Sequence, residues 1–295
     1  MKKVLIAGSG QFASNWVIHT RKLYRNFVVS KSLNSTFFED YSVEDLSDYQ
    51  KTKKLVFHIK PDVIVNAAAL TNIESCEKFP EEALKANVLV PKNLSQIASE
   101  LNIPLVHLST DHFYSEPEEI RNELVKTQPV NQYGRTKILG ELEILKHIEN
   151  FVILRTNFFN ILNSGNLGSL PKMIYDLKKR KPYSGAIDYY FNPVSVKFLI
   201  QTINEILEIG IYGILNVTSD QCISKYDFAV KVCDYINIDS KIIQKIKIKE
   251  ISDLTIRPQN LCLVNDKIKN LMKIEEINVF EQLKELIIEN RLVEG

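Results

Sequence analysis

The chain has 295 residues, of which 45% are hydrophobic and 25% are charged. This composition is that of an ordinary globular protein and excludes a disordered or collagen-like chain. With 37 basic and 36 acidic residues the net charge is +1, so bulk electrostatics give no indication of nucleic-acid binding. The apolar run at the N-terminus stops at Gly8, and no stretch of about 18 apolar residues occurs. We therefore predict no secretory signal and no membrane span, and expect a cytoplasmic protein.

The first half of the chain alternates short apolar runs with longer stretches of helical period. The strand candidates are β-branched or Leu-rich with little polar alternation, as expected where helices cover both faces of a sheet, and comprise residues 3–6, 27–29, 63–66, 105–109 and 151–154. The helices predicted among them are residues 11–23, 47–59, 81–101 and 133–147. This alternation predicts an α/β fold, a Rossmann-type doubly wound parallel sheet.

The regular alternation weakens in the second half of the chain. A strand is predicted at 214–218, and helical period is found at 172–180, 197–207 and 225–236. We predict an NAD(P)-binding Rossmann domain over 1–163, with 188–218 returning to it. The predicted smaller, mostly C-terminal α/β substrate lobe comprises 164–187 and 219–295.

The four cysteines are scattered along the chain. They form no Cys-x-x-Cys pair and have no histidines at metal-ligand spacing beside them. We therefore predict no metal site and expect all four to be reduced packing residues: Cys76, Cys222, Cys233 and Cys262.

A glycine-containing turn follows the first predicted strand directly. Residues 8–13 read Gly-Ser-Gly-Gln-Phe-Ala, which is Gly-x-Gly-x-x-Ala at a strand-to-helix junction. The glycines permit a tight turn and close backbone approach, while the helix N-terminus presents free N–H groups to a pyrophosphate. The motif predicts a dinucleotide site that includes Gly8, Gly10, Gln11 and Phe12.

The end of the second predicted strand bears on the choice of cofactor. NAD is held through its ribose by an acidic residue about 20 positions after the glycines. No acid stands there; the strand is followed instead by Ser30, Lys31 and Ser32, which suit a 2′-phosphate. We therefore predict NADPH as the cofactor, with NADH as the alternative.

Tyr133 and Lys137 stand four residues apart in a predicted helix, so they project from one face. A free tyrosine has a pKa of about 10, and a neighbouring ammonium favours the phenolate. Tyr133 is therefore a candidate general acid for a carbonyl that is being reduced. Thr110 ends a preceding strand at the edge where open α/β sheets bind ligands, so its hydroxyl is expected near the phenol. The small residues 67–69 after another strand leave room for a nicotinamide ribose.

With these residues in place, the chain resembles an extended short-chain dehydrogenase, and within that superfamily the dTDP-4-dehydrorhamnose reductase group. The matching stretches span nearly the whole chain: residues 8–13, Asp40-Tyr41, Asn66-Ala67-Ala68-Ala69, Glu74-Ser75-Cys76-Glu77, Asn87, Ser109-Thr110-Asp111, Tyr133-Gly134-Arg135-Thr136-Lys137 with Gly140-Glu141, Leu154-Arg155-Thr156, and Arg257-Pro258.

The resemblance implies roles for individual residues. Tyr133 would protonate a sugar keto oxygen, Lys137 would bind the nicotinamide ribose, and Thr110 would hydrogen-bond the keto oxygen. Further cofactor contacts are implied for Asp40 and Tyr41 near the adenine, for Ala67, Ala68 and Ala69, and for Asn87 in support of the lysine. Substrate contacts are implied for Thr71, Asp111, His112, Asn157, Phe158 and Arg257.

The implied activity is NADPH-dependent reduction of a keto group, expected at C4, on a nucleotide-activated deoxysugar for surface polysaccharide synthesis. The chain departs from the family in its shorter glycine loop, in His112 after Thr110-Asp111, and in Phe158 where a tryptophan is common. A 4,6-dehydratase of the same fold would need an acid at position 112. A nucleotide-sugar epimerase and a non-catalytic regulatory subunit remain alternatives. We expect a monomer or homodimer whose partner is the nucleotide-sugar, with no nucleic acid and no membrane.

Overall fold

A computed structural model describes residues 1–32, 38–114, 121–161, 169–251 and 254–290. The strands in these ranges are β1 Lys2–Ala7, β2 Tyr24–Ser30, β3 Asp40–Val43, β4 Val63–Asn66, β5 Leu105–Leu108, β6 Phe151–Arg155, β7 Phe158–Phe159, β8 Tyr183–Ala186, β9 Tyr190–Phe191, β10 Val194–Ser195, β11 Gly213–Asn216, β12 Ile223–Ser224 and β13 Ile243–Ile246. The α-helices are α1 Gln11–Thr20, α2 Tyr49–Ile59, α3 Ile73–Lys78, α4 Pro80–Leu84, α5 Val90–Leu101, α6 Gln132–His147, α7 Ser169–Lys178, α8 Val196–Ile209, α9 Lys225–Tyr235, α10 Asp266–Met272 and α11 Val279–Glu289.

Seven strands form one parallel sheet in the order β11-β6-β5-β4-β1-β2-β3. Leu5 of β1 pairs with Phe27 on one side and Ile64 on the other. The strand order reverses beside β1, and open α/β sheets leave a ligand crevice at such a point, outside the carboxyl ends of the strands. The predicted Rossmann-type α/β fold is confirmed. The edge strand β3 was missed because its residues are only half-buried and form no apolar run.

Helices cover both faces of the sheet. Successive side chains of a strand point to opposite faces, so Val4 and Ile6 pack into one core while Leu5 and Ala7 pack into the other. The first core is closed by α1 and α8 and the second by α2, α5 and α6. This double cover explains the uninterrupted apolar runs from which the strands were predicted.

The long helix predicted at 81–101 is present and contains a π-helical turn. It begins as α4, widens into a π-helical turn at Lys85–Leu89 and continues as α5. This turn packs so closely on α6 that a Cβ at Gly140 would overlap the carbonyl oxygen of Asn87. Glycine at position 140 therefore permits the close approach of α6 to the helix that contains the π-helical turn.

A second core lies apart from the large sheet. It is built from helices α7, α9 and α11 and the parallel pair of β8 and β13, and includes Leu170, Met173, Ala186, Phe228, Val232, Ile243 and Leu283. Not all of the C-terminal region belongs to it, because Ile268 of α10 and Ile277 pack in the core between the large sheet, α1 and α8. The chain thus returns to the sheet twice, at β11 and at α10.

Cys222 and Cys262 form a disulfide across 40 residues of sequence. The prediction that all four cysteines are reduced is therefore wrong for these two, because only the fold brings residues so distant in sequence together. Cys76 and Cys233 are free and buried. None of the helices in the described ranges has the length and apolar character needed to cross a membrane.

Candidate active site

A cavity of about 870 Å³ lies at the carboxyl edge of the sheet, where the strand order reverses. Most of the residues singled out from the sequence line it: Gly8, Gly10, Gln11, Phe12, Ser30, Lys31, Ala67, Ala68, Ala69, Thr71, Thr110, Asp111, His112, Tyr133, Lys137, Asn157 and Phe158. Four others do not line it: Asp40, Tyr41, Asn87 and Arg257. The cavity extends from the glycine turn at one end to Tyr133 at the other.

The glycine turn forms one end of the cavity. Gly8 has a φ of +100°, and a Cβ there would lie 3.0 Å from the backbone nitrogen of Ala68. Gly10 caps α1 without a side-chain hydrogen bond, and a Cβ at this position would meet nothing within 4 Å. The first N–H groups of α1 are thus left without a side-chain cap at an open cradle that fits a pyrophosphate.

Asp40 lies at the wrong edge of the sheet for the adenine contact predicted for it. It is the first residue of β3, which runs parallel to β2, so it sits at the amino edge, paired with Arg25 at 3.1 Å. The residues that line the cavity come after the same strand, at 44–47. Sequence reasoning missed them because β3 was not predicted. Asp48 caps α2 and could have indicated that the residues just before it form a loop.

The region expected to hold a 2′-phosphate combines hydroxyls with the ammonium of Lys31. The Ser30 hydroxyl lies 2.6 Å from the Tyr41 phenol, so Tyr41 orients a cavity residue although it does not line the cavity itself. The exposed Lys31 ammonium lies 3.5 Å from Asp45 and 3.6 Å from Glu82. A phosphate bound here would therefore compete with two carboxylates for this lysine.

Tyr133 is buried at the other end of the cavity. Burial raises the pKa of its phenol above the ordinary value, and a hydrogen bond with Thr110 works in the opposite direction. The ring of His112 meets the tyrosine ring edge-to-face, with centroids 5.5 Å apart. The predicted convergence of Thr110 and Tyr133 is present in the structure.

Lys137 is buried one turn after Tyr133. Its ammonium nitrogen lies 2.7 Å from the carbonyl oxygen of Leu108 and 3.3 Å from Nε2 of His107. Burial lowers the pKa of Lys137 to about 8, which the nearby Glu141 partly opposes. Its hydrogen-bond partners come from β5, so the sheet positions the lysine.

Asn87 supports this region without touching the lysine. Its side chain accepts from the backbone N–H of Leu70 at 2.8 Å and donates to the Leu70 carbonyl and to Thr136, both at 3.0 Å. It thus ties the loop after β4 to the catalytic helix. The cofactor contact predicted for Asn87 does not fit this placement, because the side chain is fully buried between those two elements.

A buried ion pair lies beneath the catalytic residues. Arg155 donates to Glu141 at 2.8 Å, and Ser109 donates to the same carboxylate at 2.5 Å. Arg155 also donates to the phenol of Tyr114 at 3.2 Å. The pair joins β6 to α6 and holds the strand end that carries Thr110.

The far end of the cavity is polar. Asn157 donates to Asp111 at 3.0 Å, and Nε2 of His112 lies 3.3 Å from the hydroxyl of Tyr189. Nδ1 of His112 is buried and has no hydrogen-bond partner within the described ranges. Burial lowers the pKa of His112, so the ring is neutral at pH 7.

Arg257 lies outside the cavity lining. Its guanidinium pairs with Glu74 of α3 at 2.6 Å and is close enough to His112 to contribute to the lowering of the histidine's pKa. Arg257 therefore joins the C-terminal region to α3. The substrate contact predicted for it stays a prediction.

Lys225, the first residue of α9, was not singled out from the sequence. Its ammonium lies 3.3 Å from the centroid of the Phe191 ring, and burial lowers its pKa to about 8. Within the part of the chain that the structure describes, no carboxylate lies within ion-pair distance of it, although Asp111 acts on it from farther away. A lysine at a helix start has no distinguishing sequence pattern, so only the fold reveals it.

Comparison with known proteins agrees with this architecture. Residues 2–292 match the family described as RmlD substrate binding domain. A probable low-salt glycan biosynthesis reductase, Agl14 of Haloferax volcanii, is 25% identical over 88% of each chain. The dTDP-4-dehydrorhamnose reductase of Aggregatibacter actinomycetemcomitans is 27% identical over 84% of this chain and 87% of that one.

A solved structure has the same fold. The dTDP-4-dehydrorhamnose reductase of Bacillus anthracis, crystallised in complex with NADP, superposes with a TM-score of 0.87 at 24% identity, covering 98% of this chain and 99% of the other. The family match spans both the cavity and the second core. The chain therefore belongs to the RmlD substrate binding domain family, as its sequence motifs predicted.

Proposed function

We propose that this chain is an NADPH-dependent reductase that acts on a keto group, at C4, of a nucleotide-activated deoxysugar. The observation that carries the proposal is the meeting of Tyr133 and Thr110 in one cavity whose opposite end is the glycine turn. The reductases among its relatives support the same class of oxidoreductase.

The residues of the glycine turn and the end of β2 fit the cofactor. The uncapped start of α1 at Gly10 suits a pyrophosphate, and Ser30 with Lys31 suits a 2′-phosphate. The small residues 67–69 line the cavity and leave room for a ribose. NADPH, when bound, supplies the hydride.

Tyr133 donates the proton in this mechanism. The phenol is protonated at neutral pH and so holds the proton to be donated; burial raises its pKa, which opposes donation, and the hydrogen bond with Thr110 works in the opposite direction. Thr110 hydrogen-bonds the phenol, and we expect its hydroxyl to orient a keto oxygen beside it. Lys137, when protonated, stabilises the phenolate that remains after the transfer.

The relatives support the substrate class of this proposal. The dTDP-4-dehydrorhamnose reductases among the relatives support a dTDP-linked 4-keto-6-deoxy sugar as the substrate. Neutral His112 and Phe158 line the cavity at positions where this chain departs from the family. We further propose that the second core forms the substrate lobe, and that the enzyme acts as a monomer or homodimer in polysaccharide synthesis.

The direct test is NADPH consumption with dTDP-4-dehydrorhamnose, the substrate named for the relatives, compared between the wild type and Tyr133→Phe. We expect kcat/KM to fall roughly 100- to 10,000-fold in the variant, since a general acid is removed, while NADPH affinity is retained. A variant as active as the wild type contradicts the proposal. Cofactor binding without consumption would indicate a regulatory subunit, and substrate isomerisation without consumption would indicate an epimerase.

A thermal-shift series with NADPH and dTDP-, UDP-, GDP- or CDP-sugars identifies the nucleotide. A ligand that binds only the native state raises the apparent stability. We expect the largest shift with the dTDP-sugar; equal shifts with all four would contradict selection of the nucleotide.

A further inference from the structure

Two buried side chains and one backbone N–H form a row of hydrogen bonds behind Lys137. The backbone N–H of Ala68 donates to Oδ1 of Asn66 at 3.1 Å, and Nδ2 of Asn66 lies 3.0 Å from Nδ1 of His107. On the other side of the ring, Nε2 of His107 lies 3.3 Å from the nitrogen of Lys137. Asn66 and His107 are almost completely buried and do not line the cavity.

The donor and acceptor roles in this row of hydrogen bonds can be assigned in only one consistent way. The N–H of Ala68 can only donate, so Oδ1 of Asn66 must face it and Nδ2 must face the histidine. Nδ1 of His107 therefore accepts. Burial and the neighbouring Lys137 lower the pKa of His107, so its ring is neutral and carries one proton. That proton is on Nε2 and points at Lys137.

This tautomer discriminates between the two charge states of the lysine. An N–H that faces an ammonium opposes it, whereas an N–H that faces a neutral amine donates to the amine's lone pair. The neutral amine in turn donates to the carbonyl of Leu108 at 2.7 Å. The backbone N–H of Ala68, acting through Asn66, fixes the His107 tautomer. This tautomer opposes protonation of Lys137.

We propose that His107 is a positioning residue which, held by Asn66 as the Nε2–H tautomer, donates to Lys137 and so sets the pH range over which the lysine carries its proton. The kinetic consequence rests on the proposed function, because only a reductase that uses Lys137 responds to it. The tautomer itself does not depend on any activity.

The other groups around Lys137 come from two elements. Tyr133 and Glu141 lie one turn before and one turn after it on α6, and Glu141 raises the pKa of the lysine. Glu141 is itself neutralised by Arg155 of β6. Burial acts against the charge and lowers the pKa of Lys137 to about 8. Activity that needs the charged lysine is therefore lost as the pH rises through that range.

The first test uses the wild-type protein labelled with ¹⁵N in its imidazoles. The ¹⁵N shifts distinguish the two tautomers and the imidazolium, and the signals of His107 are those lost in His107→Phe. We expect the Nε2–H tautomer in the cofactor-free protein. An Nδ1–H tautomer or an imidazolium overturns the proposal, whatever the activity of the protein.

The second test uses the isosteric substitution Asn66→Asp to reverse the direction of the hydrogen bonds through His107. The introduced carboxylate can accept from both Ala68 and Nδ1–H of His107, so Nε2 becomes an acceptor that stabilises the ammonium. We expect the basic limb of the kcat/KM profile to move up by about one pH unit or more, and the labelled ring to report Nδ1–H. An unmoved limb in a folded variant that reports Nδ1–H contradicts the proposal.

A double variant separates this route from direct charge attraction. In a His107→Phe background the ring no longer connects position 66 to Lys137, so Asn66→Asp is expected to leave the basic limb unmoved. A limb that still moves there indicates a through-space effect of the carboxylate and overturns the role of His107. Absence of reductase activity in the wild type would instead contradict the proposed function and leave the tautomer measurement standing.

Discussion

The two ends of the cavity are built in different ways. The glycine end consists of short segments that follow neighbouring strands directly: residues 8–12, 30–32, 44–47 and 67–69. The tyrosine end is assembled from buried side chains of distant segments, held by contacts such as Asn157 to Asp111 and Arg155 to Glu141. The glycine end is therefore mainly a backbone surface and the tyrosine end a network of polar side chains.

This difference determines how each end should respond to substitution. A backbone surface is sensitive to any added atom but loses little when a side chain is trimmed. A buried polar network is sensitive to removal, because each lost partner leaves another group unsatisfied in a low dielectric. The predictions below use this contrast.

The largest effect is expected for Glu141→Ala. The substitution leaves the buried Arg155 without its counter-charge, and breaking such a pair costs about 3–5 kcal/mol of unfolding free energy. Urea unfolding followed by circular dichroism measures it. In the double variant Glu141→Leu with Arg155→Met the loss should be much smaller; a single variant as stable as the wild type would contradict the importance of the pair.

At the glycine end, Gly8→Ala and Gly10→Ala form a matched pair. Gly8 has a positive φ and a close neighbour in Ala68, so the added methyl should cost about 1–3 kcal/mol of stability. Gly10 has a φ of −76° and open space around it, so its variant should fold as the wild type does. Its methyl group projects into the cradle and should weaken NADPH binding about tenfold, measured by calorimetry. Equal NADPH affinities for Gly10→Ala and the wild type would show that the cradle does not hold the pyrophosphate.

Lys225→Met tests a cation that lies outside the cavity lining, interacts with the charge of Asp111 and lacks a paired carboxylate in the described ranges. We expect removal of its charge to raise KM for the nucleotide-sugar about tenfold, while KM for NADPH stays the same. Lys231→Met is the control, because that lysine lies on the same helix but pairs with Asp234 at the surface. A change in both KM values would indicate a general structural effect.

The smallest effect is expected for Lys31→Glu, since this lysine is exposed and shared by two carboxylates. We expect KM for NADPH to rise about fivefold, because one screened contact with the 2′-phosphate contributes about 1 kcal/mol. KM for NADH should hardly change. Lys51→Glu, another exposed lysine paired with a nearby acid, controls for net charge. Equal effects on both cofactors would contradict a 2′-phosphate site at Lys31.

The glycine turn and the pairing of Tyr133 with Lys137 were predictable from the amino-acid sequence. Local patterns determine them: a strand that runs into Gly8, a four-residue spacing on one helix, and Thr110 after a buried strand. Each depends on neighbours in the chain, so its physical cause is already present in the order of the residues.

Tertiary structure decided the rest. It placed Asp40 at the amino edge of the sheet and residues 44–47 at the cavity, because that choice depends on which strand pairs with β2. It joined Cys222 to Cys262 and brought Lys225 near Asp111. It also aligned Asn66 and His107 behind Lys137, since neighbouring strands share a register that no local pattern records. Long-range contacts of this kind arise only when the whole sheet is assembled.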